Sequence, residues 1–502
     1  MERREFIQKA GALTVATQMP WLLPRGYGAS LLDADADLER ILVNDVHSAL
    51  NATWVKEIHT VTSNEQIQNS VRTAVKENIS VSIAGGRHAL GSQQFATDSI
   101  LLDTTSLNNI IGLDINNGLV KVEAGIQWPQ LIHGILAMQD GEKEAWTIRQ
   151  KQGGSDQLCI GGALSANAHG RGLMMKPIVD DVEMFDIISP TGELLTCSRT
   201  QNSELFKLAI GGYGLFGIIT NVVLRLTRRK KLRRIVELMD IEQVIPAIEE
   251  RARSGCLYGD FQYDVDESSN TFMRKGILSC YEPVDPSTPI PDVQRKLSQE
   301  QWFDFVHMAY IDRRKAFDAF CNHHLSTNGQ IYWSDLSQLS TYDKGYREFI
   351  DKKSIREAPS SLMLSELYVS RDLLPEFMER TSKVLKRRKS TLVYGTIRMI
   401  QRDDVTFLPW AKKDYACVIF NIVVDHTTQG KAKAADTFRE LIDVSADLDG
   451  SYFLTYHKWA RKDQVLSCYP QMPEFLKKKQ QYDPNLVFQS NWYRHYHAMF
   501  KT

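Results

Sequence analysis

The sequence predicts an α+β protein. Three observations lead to that fold class: a helical pattern between two short strands near residue 60, glycine-rich segments beside strands, and a β-α-β-β-α-β order over residues 362–456. The chain has 502 residues, 43% of them hydrophobic, enough for the cores of two or three domains. The formal net charge of −1 argues against a nucleic-acid binder, whose binding face is usually basic.

Residues 1–30 predict a twin-arginine export signal. Arg3 and Arg4 precede a moderately apolar stretch that runs through Leu23. The alternative is a basic, frayed N-terminus, since Pro20 interrupts that stretch; the protein would then stay in the cytoplasm rather than reach the periplasm. No later segment approaches the ~18 uninterrupted apolar residues of a membrane span, so we expect a soluble mature protein.

The first glycine-rich segment closes a predicted β-α-β unit. Ser63 has capping-box spacing to Gln66 before a helical pattern, and Val81 and Ile83 then alternate with a polar residue as a half-buried strand does. The strand runs into Gly-Gly-Arg-His at 85–88. Paired glycines expose backbone N–H groups to a phosphate, although an ordinary strand-ending loop has the same composition.

Two more glycine-rich segments follow, at 159–172 and 210–220. Neither the fingerprint Gly-x-Gly-x-x-Gly after a first strand nor a phosphate loop that ends in Gly-Lys-Ser/Thr is present where it is needed, which disfavours a nicotinamide Rossmann domain and an ATPase. Three separated loops lined by backbone suit a long, extended ligand.

The order GGRH, IGGALSANAHGRG and GGYGLFGIIT resembles the flavin domain of the vanillyl-alcohol oxidase family, the PCMH-type FAD-binding fold. The resemblance covers residues 50–228 and implies a two-subdomain FAD-binding domain there, with FAD as the cofactor. It also implies a covalent bond from the flavin to His88, the histidine that follows Gly-Gly-Arg. The implied FAD contacts are Gly85, Gly86, Arg87, His88, Ala89, Leu90, Gly161, Gly162, Ser165, Asn167, His169, Gly217, Ile218 and Ile219.

The sequence departs from some members of that family at a second attachment point. Those relatives carry a cysteine upstream of the middle glycine segment, but Gln157 occupies the position here and Cys159 lies two residues too late. We therefore expect at most one covalent bond to the flavin.

The middle of the chain changes character after the basic run 228–234, which we interpret as a boundary and not as a binding site. Residues 241–253 are predicted helical, and a long helical region spans 298–325, with Trp302, Phe305 and Phe317 as packing residues. His323 and His324 are expected at the surface.

From residue 362 the pattern is strand 362–369, helix 372–387, strand 391–401, strand 414–425, helix 430–444 and strand 451–456. That order is the split arrangement of a ferredoxin-like layer. Beside a flavin domain, the resemblance implies that residues 229–455 form a substrate cap.

Residues 456–502 are expected to return to the flavin domain. Thr455 to Arg461 resembles the stretch of aldonolactone and alditol oxidases where a histidine and a basic residue approach the flavin. His457 matches that histidine and would act as the base, because histidine titrates near neutrality. Lys458 or Arg461 would stabilise anionic reduced flavin.

The chemistry implied is an FAD-linked oxidase or dehydrogenase that oxidises a C–OH group of a sugar, polyol or lactone, with oxygen or an unknown electron acceptor. A second hypothesis is a flavin dehydrogenase or reductase for a lipid or sterol-like substrate. A third is a non-catalytic flavin-binding protein. The seven cysteines are isolated from one another, and no metal site is predicted.

Overall fold

The first structured layer is a small parallel sheet with one helix. The computed structural model describes residues 40–142, 144–340, 345–353 and 358–501, so the predicted export signal lies outside the described residues and stays a prediction. Strand β5 lies between β3 and β4 and is parallel to both. The elements are β1 (Ile41–Val43), β2 (Thr53–Val55), β3 (Glu57–Thr60), α1 (Asn64–Glu77), β4 (Val81–Ala84) and β5 (Ile100–Asp103).

Helix α1 begins where the sequence predicts. The Ser63 hydroxyl accepts a hydrogen bond from the Gln66 backbone N–H at 3.3 Å, which satisfies one of the free donors of the first turn. The helix buries Ile67, Val71 and Ala74 against the sheet, so the predicted β-α-β unit is confirmed. Strand β4 then delivers the chain to the first glycine segment.

The second layer is an antiparallel sheet in the order β10-β9-β11-β7-β6, with β8 paired to β11. Strand β11 is its centre because it pairs with β7, β8 and β9. The elements are β6 (Ile110–Asp114), β7 (Leu119–Glu123), α2 (Trp128–Ala137), β8 (Trp146–Ile148), α3 (Ile160–Ser165), β9 (Val182–Ile188), β10 (Leu194–Ser198), α4 (Ser203–Ala209) and β11 (Ile218–Arg228).

The third layer is an eight-stranded antiparallel sheet in the order β15-β12-β14-β13-β17-β18-β16-β19. Its core is continuous with that of the second layer, whereas the first sheet has a separate core. The elements are β12 (Lys231–Asp240), α5 (Ile241–Arg253), β13 (Tyr258–Tyr263), β14 (Lys275–Pro283), α6 (Gln299–Ile311), α7 (Arg313–Ser326), β15 (Ile331–Trp333), α8 (Tyr346–Lys353), β16 (Ser360–Ser370), α9 (Leu374–Arg388), β17 (Leu392–Ile400), β18 (Tyr415–Asp425), α10 (Thr428–Asp447) and β19 (Ser451–Tyr452).

The predicted helix 241–253 and the predicted β-α-β-β-α-β order are both present in this layer. The single helical region predicted over 298–325 is wrong in one respect, because it is divided at Asp312. That residue has φ −151°, which ends α6, and its carboxylate accepts a hydrogen bond from the Lys315 N–H at 3.0 Å, which starts α7. Periodicity alone does not separate two helices that meet at one residue.

The end of the chain returns to the first sheet through three helices. Val81 N–H donates to the Val487 carbonyl at 2.7 Å, and Gln489 N–H donates to the Val81 carbonyl at 2.9 Å. Phe488 enters the core under that sheet. The helices are α11 (Lys462–Cys468), α12 (Met472–Tyr482) and α13 (Asn491–Phe500). Among all the described helices, none combines the length and the apolar character that crossing a membrane requires.

A fully buried ion pair stabilises the turn through which the chain reaches the first sheet after helix α12. The Lys479 ammonium contacts the Asp483 carboxylate, and neither side chain is exposed. Asp483 also accepts hydrogen bonds from the backbone N–H groups of Val487 at 2.9 Å and Phe488 at 2.8 Å. The carboxylate therefore sets the turn that carries Phe488 into the core.

Replacing Lys479 by Met should lower the free energy of unfolding by about 3–5 kcal/mol, because it leaves the buried Asp483 carboxylate without its counter-charge. Chemical denaturation followed by tryptophan fluorescence measures the change. The matched control is Lys478→Met, since Lys478 pairs at 2.6 Å with the exposed Glu204 and such surface pairs are worth about 0–1 kcal/mol. Equal effects of the two substitutions would contradict the structural role of the buried pair.

Candidate functional site

One large cavity of about 880 Å³ lies where the glycine segments face the eight-stranded sheet. Its size is at the upper end of ligand pockets, which suits a large cofactor together with a small substrate. The glycine segments form one wall of it, and we call that wall the glycine wall. The cap wall is contributed by the eight-stranded sheet and by helices α6 and α7.

The first and second glycine segments pack closely against each other. A Cβ atom built on Gly86 would lie 2.4 Å from the Gln157 carbonyl oxygen, and one on Gly85 would lie 3.0 Å from Cys159 Sγ. Glycine is therefore required at position 86 for the two backbones to approach, and a side chain at position 85 would crowd Cys159. Arg87 adopts a left-handed conformation with φ 59° and pairs with Asp103 at 3.2 Å.

The second segment leaves open space toward the cavity. A Cβ atom on Gly162, in helix α3, would have no atom within 4 Å, and this residue lines the cavity. A cradle of this kind, which side chains would fill, fits the flat surface of a flavin nucleotide. The predicted FAD contacts that line the cavity are Gly85, Gly86, Arg87, His88, Ala89, Leu90, Gly161, Gly162, Ser165, His169, Gly217, Ile218 and Ile219.

Asn167 is the predicted FAD contact that does not line the cavity. Its side-chain amide donates to Asp403 at 2.8 Å and its side-chain oxygen accepts from the Val179 N–H at 3.2 Å. Its backbone carbonyl accepts from the Trp410 indole at 3.0 Å. With φ 49°, Asn167 shapes the turn of the second glycine segment rather than facing the cavity.

His457 lies in an aromatic core behind the cap wall and does not line the cavity. Its ring is 4.7 Å from Phe438, 5.3 Å from Trp459 and 6.2 Å from Tyr452, measured between ring centroids. Burial, with the charge of Arg439, lowers the pKa of His457 to about 3. His457 therefore makes no contact with the cavity that would support its predicted role as the base.

Lys458 and Arg461 also lie away from the cavity wall. The Lys458 ammonium donates to the Ser92 hydroxyl at 3.1 Å, one residue from the cavity-lining Gln93, and burial lowers the pKa of this lysine to about 8. Arg461 is exposed and pairs with Asp443 at 2.8 Å. The structure does not bring the three predicted catalytic residues together at the cavity.

A different group of polar side chains meets at the cavity, and we call it the Glu366 cluster: His169, Glu366, Tyr368 and Tyr456. The His169 Nε2 atom is 2.7 Å from Glu366 Oε1, and the Tyr368 hydroxyl donates to the same oxygen at 2.5 Å. The Tyr456 hydroxyl donates to Glu366 Oε2 at 3.2 Å. Of these residues, His169, Glu366 and Tyr456 line the cavity.

The Glu366 carboxylate is held in its ionised form. Burial raises the pKa of Glu366, but the His169 charge and the hydrogen bonds from His169 and Tyr368 outweigh burial and lower the pKa to about 2. Arg398, from strand β17, adds to the lowering. His169 Nδ1 faces the Gly170 carbonyl at 3.1 Å, a contact that orients the ring toward Glu366.

Arg398 brings a positive charge to the cap wall. It is 8% exposed and lines the cavity, yet its guanidinium makes no ion pair with any described residue, and its Nε atom has no hydrogen-bond acceptor. An unpaired buried guanidinium is costly, so this site is built to receive an acceptor or an anionic group from a ligand.

Glu366 and Arg398 lie outside every motif recognised in the sequence. Each is a charged residue inside an otherwise apolar strand, in Leu-Met-Leu-Ser-Glu-Leu-Tyr-Val and in Tyr-Gly-Thr-Ile-Arg-Met-Ile. Charged residues are rarely buried unless they are paired or functional, so the interruption was a usable signal.

One prediction about the middle of the chain is wrong. His323 and His324 are half-buried on helix α7 and line the cavity, because a helix turns both rings inward where a strand would have separated them. Trp302, Phe305 and Phe317 form part of the cavity wall in addition to packing. The helical pair α6–α7 is therefore a wall of the site.

His169, Glu366 and Cys417 offer metal-ligand atoms within 4.8 Å of one another. The 2.7 Å contact between His169 and Glu366 is a hydrogen bond, and burial raises the pKa of the Cys417 thiol well above its ordinary value. A protonated thiol is a poor metal ligand, so the group is better explained by hydrogen bonding.

The family model described as "FAD binding domain" matches residues 55–198. An uncharacterized oxidoreductase of the fasciation locus of Rhodococcoides fascians is 29% identical over 32% of this chain and 35% of its own length. Cytokinin dehydrogenase 9 of Oryza sativa subsp. japonica is 27% identical over 41% of this chain and 39% of its own length. The match thus spans little more than a third of either protein.

A longer match is to the L-gulono-1,4-lactone dehydrogenase of Mycobacterium tuberculosis, which is 21% identical over 86% of this chain and 94% of its own length. The matched domain contains the first two glycine segments, and the glycine wall offers the cradle that FAD needs. The chain therefore carries an FAD-binding domain of the PCMH type, takes FAD as its cofactor, and is related to FAD-linked oxidoreductases that include a lactone dehydrogenase.

Proposed function

We propose that this protein oxidises a C–OH group of a small molecule, of the sugar, polyol or lactone type, with FAD as the hydride acceptor. The observation that carries the proposal is the Glu366 cluster, which presents an ionised carboxylate to the cavity on the same wall as the unpaired Arg398. Two side-chain amides of the cap wall, Gln262 and Asn421, also have oxygens that accept no hydrogen bond within the described residues. Such a wall suits a substrate that brings hydroxyl donors.

FAD supplies the hydride acceptor when it is bound. The residues of the chain hold the substrate against it. Glu366 Oε2 has a single hydrogen bond, from the Tyr456 phenol, whereas Oε1 has two, so Oε2 would accept a further hydrogen bond from the substrate hydroxyl. His169 and Tyr368 keep Glu366 as a carboxylate that would take the hydroxyl proton, and Arg398 would stabilise the negative charge that develops on the substrate oxygen as that proton leaves.

The glycine wall would hold the dinucleotide through Gly85, Gly86, Gly161 and Gly162, with His88 directly after the first pair. His88 lines the cavity, which supports it as the point of covalent attachment. Gln157 has no thiol, so we propose a single bond to the flavin.

The eight-stranded sheet is proposed as the substrate cap, and its order supports that assignment. Strands β17, β18, β16 and β19 are adjacent in that order, with α9 and α10 as the crossovers, as in a ferredoxin-like layer. The adjacent strands β17, β18 and β16 all send polar residues to the cavity, among them Arg398, Asn421 and Glu366. The cap wall would then select the substrate while the glycine wall holds FAD.

Replacing Glu366 by Gln should slow flavin reduction by an alcohol substrate by about tenfold to hundredfold, the range for a lost hydrogen bond to a charged group of about 1.5–3 kcal/mol. Anaerobic stopped-flow absorbance measures the rate on a panel of sugars, polyols and lactones. Repeating the reaction with oxygen and with an artificial dye separates oxidase from dehydrogenase.

The matched control is His457→Phe, which keeps the aromatic stack but removes the imidazole. We expect its rate to stay close to that of the unaltered protein. A large loss in His457→Phe together with normal rates in Glu366→Gln would reverse the assignment and restore His457 as the base. Absence of flavin reduction by every alcohol of the panel would argue for a different substrate class or a non-catalytic flavin protein.

Acid denaturation of the purified protein should leave flavin absorbance attached to the peptide that contains His88, because a covalent bond survives unfolding. Peptide mass analysis identifies the residue. His88→Ala should release all flavin on denaturation while the folded variant still binds FAD through the glycine wall. Release of intact flavin from the unaltered protein would disprove the covalent bond and leave FAD binding in place.

A further inference from the structure

We propose that the substrate carries a carboxylate, which is bound by Arg234 on the cap wall. The inference rests on the proposed function, because it names the substrate class of the same site. Arg234 belongs to the basic run 228–234, which the sequence analysis interpreted as a boundary with no binding role. That interpretation is wrong for Arg234, because the residue lies inside strand β12 and lines the cavity.

The alternation of strand β12 separates Arg234 from its neighbour. Successive side chains of a strand point to opposite faces of the sheet. The Arg233 side chain is 53% exposed and pairs with Glu282, whereas Arg234 as a whole is 9% exposed and faces the cavity. Two adjacent arginines therefore have opposite environments, and only the second can contact a ligand in the cavity.

The Arg234 guanidinium has neutral neighbours. It donates to the Ser279 hydroxyl at 3.1 Å, contacts His324 Nδ1 and lies 5.7 Å from the centre of the Tyr281 ring. Burial first, and the charge of Arg234 next, lower the pKa of His324 well below its ordinary value, so this imidazole is uncharged. Among the described residues no carboxylate lies within ion-pair distance of Arg234, and its Nε atom has no acceptor.

Two nearby arginines, unlike Arg234, each have a carboxylate partner. Arg229 pairs with Asp335 at 2.7 Å, and Arg171, which also lies over the Tyr281 ring, has Asp260 at 3.7 Å. Arg234 thus contributes one buried positive charge that the chain does not compensate. A charge in this state needs an anionic partner, and a carboxylate matches the planar N–H edge of a guanidinium.

The other residues that line the cavity indicate which further groups the substrate would carry. Trp302, Phe305 and Phe320, from helices α6 and α7, line the same cavity and offer an apolar surface. Gln262 and Asn421 offer acceptors for hydroxyl groups. A hydroxy acid with an aromatic or other apolar body combines the three features, with the hydroxyl that is oxidised directed to the Glu366 cluster.

Benzoate and benzamide are a suitable pair of probes, because they share shape and differ in charge. Isothermal titration calorimetry on the FAD-loaded protein should show benzoate binding at least about tenfold more tightly than benzamide, as expected for a charge-assisted hydrogen bond. Arg234→Gln should remove that preference and leave benzamide affinity unchanged. Arg233→Gln is the matched control and should keep the preference, and Arg234→Lys should retain part of it.

Equal affinities for the two probes, no binding of either, or a preference that survives Arg234→Gln would overturn the proposal. Thermal melting of the variants verifies that each is folded. The result is separable from the proposed function, because reduction of the flavin by uncharged alcohols is measured independently. If such alcohols reduce the flavin and benzoate shows no preference, only the carboxylate inference fails; if benzoate is preferred and no alcohol or hydroxy acid reduces the flavin, the proposed oxidation fails.

Discussion

The hydrogen bond between His169 and Glu366 joins the two halves of the site. His169 lies in the second glycine segment and Glu366 lies in strand β16 of the eight-stranded sheet, so this 2.7 Å contact ties the cap wall to the glycine wall inside the cavity. Both residues are buried, and a partner left without the other would be costly. The rings of Trp410 and Tyr368 pack behind the contact and prevent it from shifting.

The glycine wall and the cap wall present different groups to the cavity, because glycines expose backbone and antiparallel strands expose side chains. Glycines let bare backbone face a flat, extended cofactor, and side chains there are small. Antiparallel strands instead place one side chain at every second position on the cavity face, so the cap wall can carry acid, base and amide groups close together. Separating cofactor binding from substrate selection in this way lets the cap change without loss of FAD.

Much of the fold could be predicted from the sequence, because local signals specify it. The Ser63 cap and the periodicity of residues 362–456 depend on neighbours in the chain, and the structure contains the elements that they predict, although the last strand ends at Tyr452. The catalytic assignment depended on matching His457 to a motif by position. Whether an imidazole faces a cavity or an aromatic core depends on contacts with Phe438 and Trp459, which sequence spacing does not reveal.

The pairing of Val81 with residues 487–489 has a consequence for how the protein is made. Strand β4 carries the first glycine segment, and the outer edge of that strand is completed by the last turn of the chain before α13. A chain that has been synthesised only to a point before residue 487 therefore lacks part of the sheet that supports the FAD cradle. The cradle is completed only after the segment 487–489 has been made and has paired with β4, so stable cofactor loading follows that pairing.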